Sequence, residues 1–556
     1  MTGPATDAGR RVYAGTDSTG VPNATVTLTP ADRTDTVRIV LDTVHALPIV
    51  FVPGIMGSNL MDKKGGEVWR LDSKWGIFSA MRKLNAGKRQ ALLHPDRTEV
   101  DPGGVVPGYP VGTLTDKAAF RARHWGEVGA TSYGDFLIWL ESNLNDQRGV
   151  DIGSDLRSYL HAGLRRVADG RHWGTQHAYE RLTEDESERA KHWTHPVYAC
   201  GYNWLDDNDK AAARLATRID EVIQNHSRGQ SRCSQVIVVT HSMGGLVARR
   251  CSQLPGMAQK IAGIVHGVMP AVGAPVAYRR CKVGMADESY AAGLVIGSTG
   301  RDITAVFAQA PGALQLLPTE RYPLRWFHVR DVHGSELPVA DMARTDRPYD
   351  TLYAERDRWW GLVKEEWLSP EHGIPIDWTG YKKTLGKAAE FHKTLDTHYH
   401  PNTYAFYGTG VASFEHVCWR MTAGDARQRG VQEAPPDASS VLAMNRNAVR
   451  MDGTNPEFVP GPDVHLRGRA NQPVPTQHYN LTLDEAADSG DGTVPVASGR
   501  APLNHVRQLF ALKGIEHEPA YLHPMAHQVT AYAITRIAAQ IAPAIGRPVH
   551  KEGNTR

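Results

Sequence analysis

The chain has 556 residues, of which 41% are hydrophobic, enough for a sizeable buried core. Lys and Arg number 62 and Asp and Glu 60, a formal net charge of +2 with neither a basic block nor an acidic tail, so nucleic acid is not an expected partner. The five cysteines, Cys200, Cys233, Cys251, Cys281 and Cys418, are odd in number and form no C-x-x-C, so they read as buried free thiols rather than a disulfide framework or zinc site.

Residues 1–34 are rich in Gly, Thr, Asp and Pro and read as loosely structured, with one weak strand over 24–28. Met1 to Gly20 is polar and lacks an apolar h-region, so a cleaved N-terminal signal is not expected, while export by another machine stays open. The apolar run Leu47 to Ile55 is too short to span a bilayer. Thr36 to Val44 alternates as a strand does. Short apolar runs then predict strands at Leu47 to Val52, Pro196 to Cys200, Gln235 to Thr240, Ile261 to Val265, Thr403 to Tyr407 and Val506 to Leu512. Helices are predicted from Asp207 to Asn225, from Ser242 to about Leu254 and from Met525 to Ile541. Such alternation means a mostly parallel sheet with helices on both faces, whose working groups lie at the carboxyl ends of the strands.

On this reading residues 35–56, 195–275, 401–410 and 489–545 form the core. Residues 57–194, with a helix near Phe136 to Leu144, and 276–400, with Trp359, Trp360 and Trp367, are insertions. Both leave from strand carboxyl ends and are expected to cap the site. Residues 411–488 read as a loop-rich insertion, and 430–475 within them as the best candidate for a mobile loop.

The chemistry centres on Thr240-His241-Ser242-Met243-Gly244-Gly245, where a buried strand runs straight into a serine and a helix starts at once. Such a corner strains the serine backbone and lifts its Oγ clear of the sheet, and the helix N-terminus adds positive charge near a developing oxyanion. The usual G-x-S-x-G pattern has Thr240 in its first position here, where its side chain crowds the turn. A serine hydroxyl needs a histidine base, and the histidine a carboxylate, in the chain order Ser, acid, His. Asp491, in the Gly-flanked turn Ser489-Gly490-Asp491-Gly492, is the expected acid, with Asp484 and Asp488 as alternatives. His517 is the expected base, being nearest the end of the last strand, with His523 and His527 as alternatives. The oxyanion hole is assigned to the N–H groups of Met243 and of Ile55 in the loop Val52-Pro53-Gly54-Ile55-Met56-Gly57, and Met56 to substrate contact. His392, His398 and His400 lie close in sequence, but no run of carboxylates or cysteines accompanies them, so no metal and no cofactor is expected.

The set V-P-G-I-M-G-S-N-L, G-Y-N-W at 201–204, H-S-M-G-G, A-P-G-A-L-Q-L-L-P at 310–318 and G-D-G-T-V-P resembles the lecithin:cholesterol acyltransferase family, which includes lysosomal phospholipase A and bacterial relatives. The resemblance implies an α/β-hydrolase fold with cap insertions. It maps that family's triad onto Ser242, Asp491 and His517, its oxyanion amides onto Ile55 and Met243, and its tryptophan segment near the site onto Gly201 to Trp204, which implies substrate contact for Trp204. No lid disulfide like that of the eukaryotic members is found, and the interval 57–194 is long. The chain is also similar to bacterial lipases associated with type VI secretion. That similarity implies synthesis in a bacterial cytoplasm, release without a signal peptide, a phospholipid or other lipid ester at a membrane surface as substrate, and an immunity or secretion-apparatus protein as partner. Acyl transfer, cleavage of a non-phospholipid ester, and a catalytically inactive binding protein on the same fold are the competing readings.

Overall fold

The structure is a computed structural model describing residues 45–541 apart from 71, 73–80, 82–83, 108–116, 146–155, 228–232, 286–296, 324, 332, 340–342, 424–448, 451–456 and 459–478, together with three strands before residue 41. Six strands make the central sheet: β1 (Ile49–Val52), β2 (Val197–Ala199), β3 (Val236–His241), β4 (Ile261–Gly267), β5 (Thr403–Thr409) and β6 (Gln508–Lys513). They pair in parallel in the order β6-β5-β4-β3-β1-β2. Every residue of β1, β3 and β4 is buried, as expected of β-branched runs covered on both faces.

Successive residues along these strands feed opposite cores. Val50, Val52, Val236, Val238 and Ile264 join one hydrophobic cluster, and Ile49, Phe51, Ile237, Val239 and Val265 the other. Four helices matter most: α1 (Ala130–Asn145), α2 (Asn208–Asn225), α3 (Gly244–Gln253) and α4 (Pro524–Gln540). The first cluster takes Leu215 and Ile219 of α2 and Leu246 and Val247 of α3. The second takes Phe136 and Leu140 of α1 and Val529 and Ile534 of α4. Helix α2 starts where the side chain of Asp207 accepts a hydrogen bond from the Asp209 N–H.

The insertions are woven into these layers. Helix α1, from the interval 57–194, lies in the core over one sheet face, and Tyr278, Trp326, Trp359 and Trp360, from 276–400, join the cluster on the other. Both sheet edges are closed by the first insertion. Along β6, Gln176 N–H donates to Leu509 O and Ala511 N–H to Gly174 O, each at 2.9 Å. Gly174 (φ +61°) permits this approach, because a Cβ there would sit 2.1 Å from the Ala511 carbonyl oxygen. Along β2, Ala199 N–H donates to Arg123 O at 3.0 Å and Val197 N–H to Glu141 at 2.9 Å. Glu141 is itself ion-paired to Arg123 at 2.7 Å with both side chains fully buried.

Two sequence expectations need correction. Thr36–Val40 does not belong to the core sheet. It pairs antiparallel with Pro22–Thr27, which pairs with Ala14–Thr16, so the described residues before 35 form strands of this separate sheet and the central sheet begins at Ile49. An alternating pattern suits such an antiparallel sheet, whereas the unbroken Ile49–Val52 suits a doubly covered strand. Residues 411–488 are also more than loops. Val417–Ala423 pairs in parallel with Phe327–Arg330 and antiparallel with Tyr479–Leu483 in a five-stranded sheet. Apart from two short strands, residues 430–475 lie outside those described.

Candidate active site

The corner between β3 and α3 is tightly built around Ser242. Ser242 stands between β3 and α3 with φ +51°, a strained value for a residue with a Cβ. Its N–H donates to Gly267 O at 2.9 Å, which ties the corner to β4. A Cβ on Gly244 would fall 2.5 Å from the carbonyl oxygens of both Val52 and Pro53, so only glycine lets α3 start this close to β1. Thr240, in the first position of the motif, is held by polar partners on both its side chain and its carbonyl. It is fully buried, its Oγ1 hydrogen-bonds His266 Nδ1 at 2.9 Å, and its carbonyl accepts from the Tyr521 hydroxyl at 2.9 Å.

Adjacent strands bring in Asp491 and His517. The short strand Asp488–Gly490 pairs antiparallel with Val411–Ser413, just beyond the end of β5. That ladder sets Asp491 beside the end of β6, from which His517 follows. His517 Nε2 lies 2.8 Å from Ser242 Oγ, and His517 Nδ1 lies 2.8 Å from Asp491 Oδ2. The other carboxylate oxygen of Asp491 accepts from the N–H groups of Thr493 at 2.9 Å and Val494 at 2.6 Å. Three donors thus orient one buried carboxylate. Asp491 O also accepts from the His517 N–H at 2.8 Å.

The alternative acids and bases are engaged elsewhere. Asp484 forms a two-pronged pair with Arg420 at 2.9 and 2.8 Å, and Asp488 accepts from the Glu415 N–H at 3.0 Å. His523 caps α4 by accepting from the Met525 N–H at 3.2 Å. His527 is bonded to Tyr521 O at 2.6 Å, and its ring stacks on Trp139 with centroids 4.2 Å apart. His392, His398 and His400 each have separate partners: Gln315 O, Ser252 Oγ and Ala258 O.

In the loop after β1, the Gly54 N–H donates to the Tyr133 hydroxyl at 3.1 Å. Neither the Ile55 nor the Met243 backbone N–H donates to another described residue. Met56 is half-buried with φ +63°, and its carbonyl accepts from Trp69 Nε1 at 2.8 Å. Trp204 is enclosed, only 1% exposed, and meets Trp69 edge-on at 5.3 Å. The Gly201-to-Trp204 segment braces the loop: Tyr202 OH donates to Pro53 O and Tyr202 N–H to Ser58 Oγ, both at 3.0 Å. Tyr133 and His241, which meet beside Ser242, were not singled out from the sequence. His241 stands inside the serine motif, whereas Tyr133 has no signal, being one aromatic among several on an insertion helix. All five cysteines are free, and burial raises the Cys200 thiol to about 11. Among the described residues, no helix is long and apolar enough to cross a membrane.

Residues 207–287 match the family model of the PGAP1-like alpha/beta domain. The chain is also similar to a chain solved in the Tle4-Tli4 complex, with 26% identity over 89% of this chain and 98% of that one, and a TM-score of 0.70. No curated protein matches the sequence. Together with the six-stranded parallel sheet these likenesses identify an α/β-hydrolase fold.

Proposed function

We propose that the chain is a serine-dependent carboxylic ester hydrolase of the lipase type that cleaves membrane glycerophospholipids through an acyl-enzyme. The observation that carries this reading is the run Ser242 Oγ, His517, Asp491, with 2.8 Å at each link and a strained serine between a strand and a helix. In the first half-reaction Ser242 Oγ attacks the ester carbonyl carbon as its proton passes to His517 Nε2. Asp491 stabilises the imidazolium, and the N–H groups of Met243 and Ile55 donate to the oxyanion. Collapse breaks the ester C–O bond, and His517 returns its proton to the departing alcohol. Water, deprotonated by the same histidine, then releases the fatty acid and restores the serine.

The likeness to a protein solved with a partner, Tli4, favours a protein partner for this chain as well. We read the chain as an antibacterial type VI secretion effector, made in a bacterial cytoplasm, delivered to a rival cell and neutralised at home by an immunity protein. The test is mass spectrometry of mixed phospholipid vesicles, with Ser242→Ala as control and fluorophosphonate labelling alongside. Free fatty acid and lysophospholipid from wild type only are expected. Unchanged lipids with no labelling would refute a hydrolase, and acylated alcohols in place of fatty acid would make it a transferase.

A further inference from the structure

His517 is held through its backbone as well as its ring. Its N–H donates to Asp491 O at 2.8 Å, and its carbonyl lies 2.8 Å from Nε2 of His241, the residue before the nucleophile. A carbonyl can only accept, so His241 Nε2 carries the proton and, in the neutral ring, Nδ1 is an acceptor. The ring is neutral, because burial and then the nearby His517 lower its pKa to about 3. Nδ1 lies 3.0 Å from Tyr133 Oη, so the phenol must donate to it. That leaves the phenol oxygen to accept the Gly54 N–H at 3.1 Å. Every proton position in this run is thereby fixed: Gly54 N–H to Tyr133, Tyr133 O–H to His241, His241 N–H to His517 O. It joins the loop that carries Ile55 to the loop that carries the base, and its hub comes from α1 of the first insertion.

The packing leaves this hub no slack. Tyr133 and His241 are each 3% exposed. A Cβ on Gly54 would lie 2.8 Å from His241 Nδ1, and one on Gly57 would lie 2.7 Å from the Tyr133 oxygen. With its N–H taken, Gly54 offers nothing to an oxyanion, which leaves Ile55 as the next amide of that loop. On the hydrolase reading above, we propose that Tyr133 and His241 are positioning residues, which hold the base and the oxyanion loop in register with Ser242 through this ordered run of hydrogen bonds.

The arms can be separated with the purified full-length chain. Tyr133→Phe removes the hub, His241→Asn keeps an acceptor for Tyr133 but loses the reach to His517, and His241→Gln keeps a donor for His517 O. On a soluble nitrophenyl ester, Tyr133→Phe and His241→Asn should each lose on the order of tenfold to a hundredfold in kcat. Their KM should stay within about twofold of wild type. His241→Gln, which keeps the link to His517 O but not the acceptor for Tyr133, should lose less than His241→Asn, and fluorophosphonate labelling rates should follow kcat. Wild-type kcat in both Tyr133→Phe and His241→Asn would overturn the assignment. So would a loss confined to KM, or one no larger than the unfolded fraction from melting curves. If Tyr133→Phe does not fold, the order of His241→Gln above His241→Asn decides, and the reverse order refutes. Absence of wild-type labelling would instead overturn the hydrolase reading, and this assignment with it.

Discussion

Replacing Asp491 by asparagine would test the proposed relay with little disturbance of the fold. Asp491 Oδ1 accepts the N–H groups of Thr493 and Val494 at 2.9 and 2.6 Å, while Oδ2 faces His517 Nδ1 at 2.8 Å. An asparagine in the same rotamer keeps its oxygen for the two backbone donors, which turns its NH2 toward His517. The amide then donates to Nδ1, the imidazole proton moves to Nε2, and Nε2 has no lone pair left to take the Ser242 proton. A loss on the order of 10⁴ in kcat is expected. The stability cost should be modest, about 1.5–3 kcal/mol for one charge-assisted hydrogen bond. Asp491→Ala should be as inactive but less stable, because two N–H groups lose their acceptor at about 1–3 kcal/mol each. The assays are kcat on a soluble ester and chemical denaturation of all three proteins. An Asp491→Asn variant keeping more than about a tenth of wild-type kcat would refute the reasoning. Equal stability of the two variants would refute the role given to the Thr493 and Val494 contacts.

The remaining expectations are brief. His517→Ala should be as inactive as Ser242→Ala, and the double variant little worse, since the two act as one unit. His523→Ala and His527→Ala should keep most activity and lose about 1 kcal/mol of stability, measured by denaturation, because one caps α4 and the other stacks on Trp139. Burial would raise the Glu127 pKa, but the His124 hydrogen bond and then Arg218 and Arg214 override it and hold the carboxyl at about 2 against an ordinary 4.5. Because the folded value is the lower one, its contribution is complete above the unfolded pKa and drains away as pH falls toward 2. Glu127→Gln should therefore be less stable than wild type at neutral pH by on the order of 3 kcal/mol, and the gap should close in acid; a gap independent of pH would contradict this. Gly244→Ala should cost about 1–3 kcal/mol or more and abolish fluorophosphonate labelling, since two backbone carbonyls stand in the way of the new Cβ. Gly386→Ala, in the helix Trp378–Leu395 with open space around it, should gain about 0.5–1 kcal/mol and keep labelling; equal behaviour of the two glycines would show that contact at the corner does not matter.

The residues alone marked the six apolar runs that become the central strands and the serine that ends one of them. Apolar runs such as Val236 to Val239, most of them leading to a helix, leave little choice but a covered parallel sheet. Chain order and turn composition marked Asp491 and His517 among their neighbours, and the structure brings both to Ser242. Periodicity reports which face of an element is buried, not what it pairs with. Hence Thr36–Val40 read as part of the core from its pattern, while only the ladder showed that it pairs with Pro22–Thr27. The same limit hid the enclosure of Trp204 and the closing of both sheet edges by the first insertion. Tyr133 shows it most clearly. It stands 108 residues before His241, with no motif around it, and acquires a role only because the sheet order carries α1 across the face where β1 and β3 end. Local propensity is written residue by residue, whereas hydrogen bonds between distant segments depend on strand order and on how tightly the layers close.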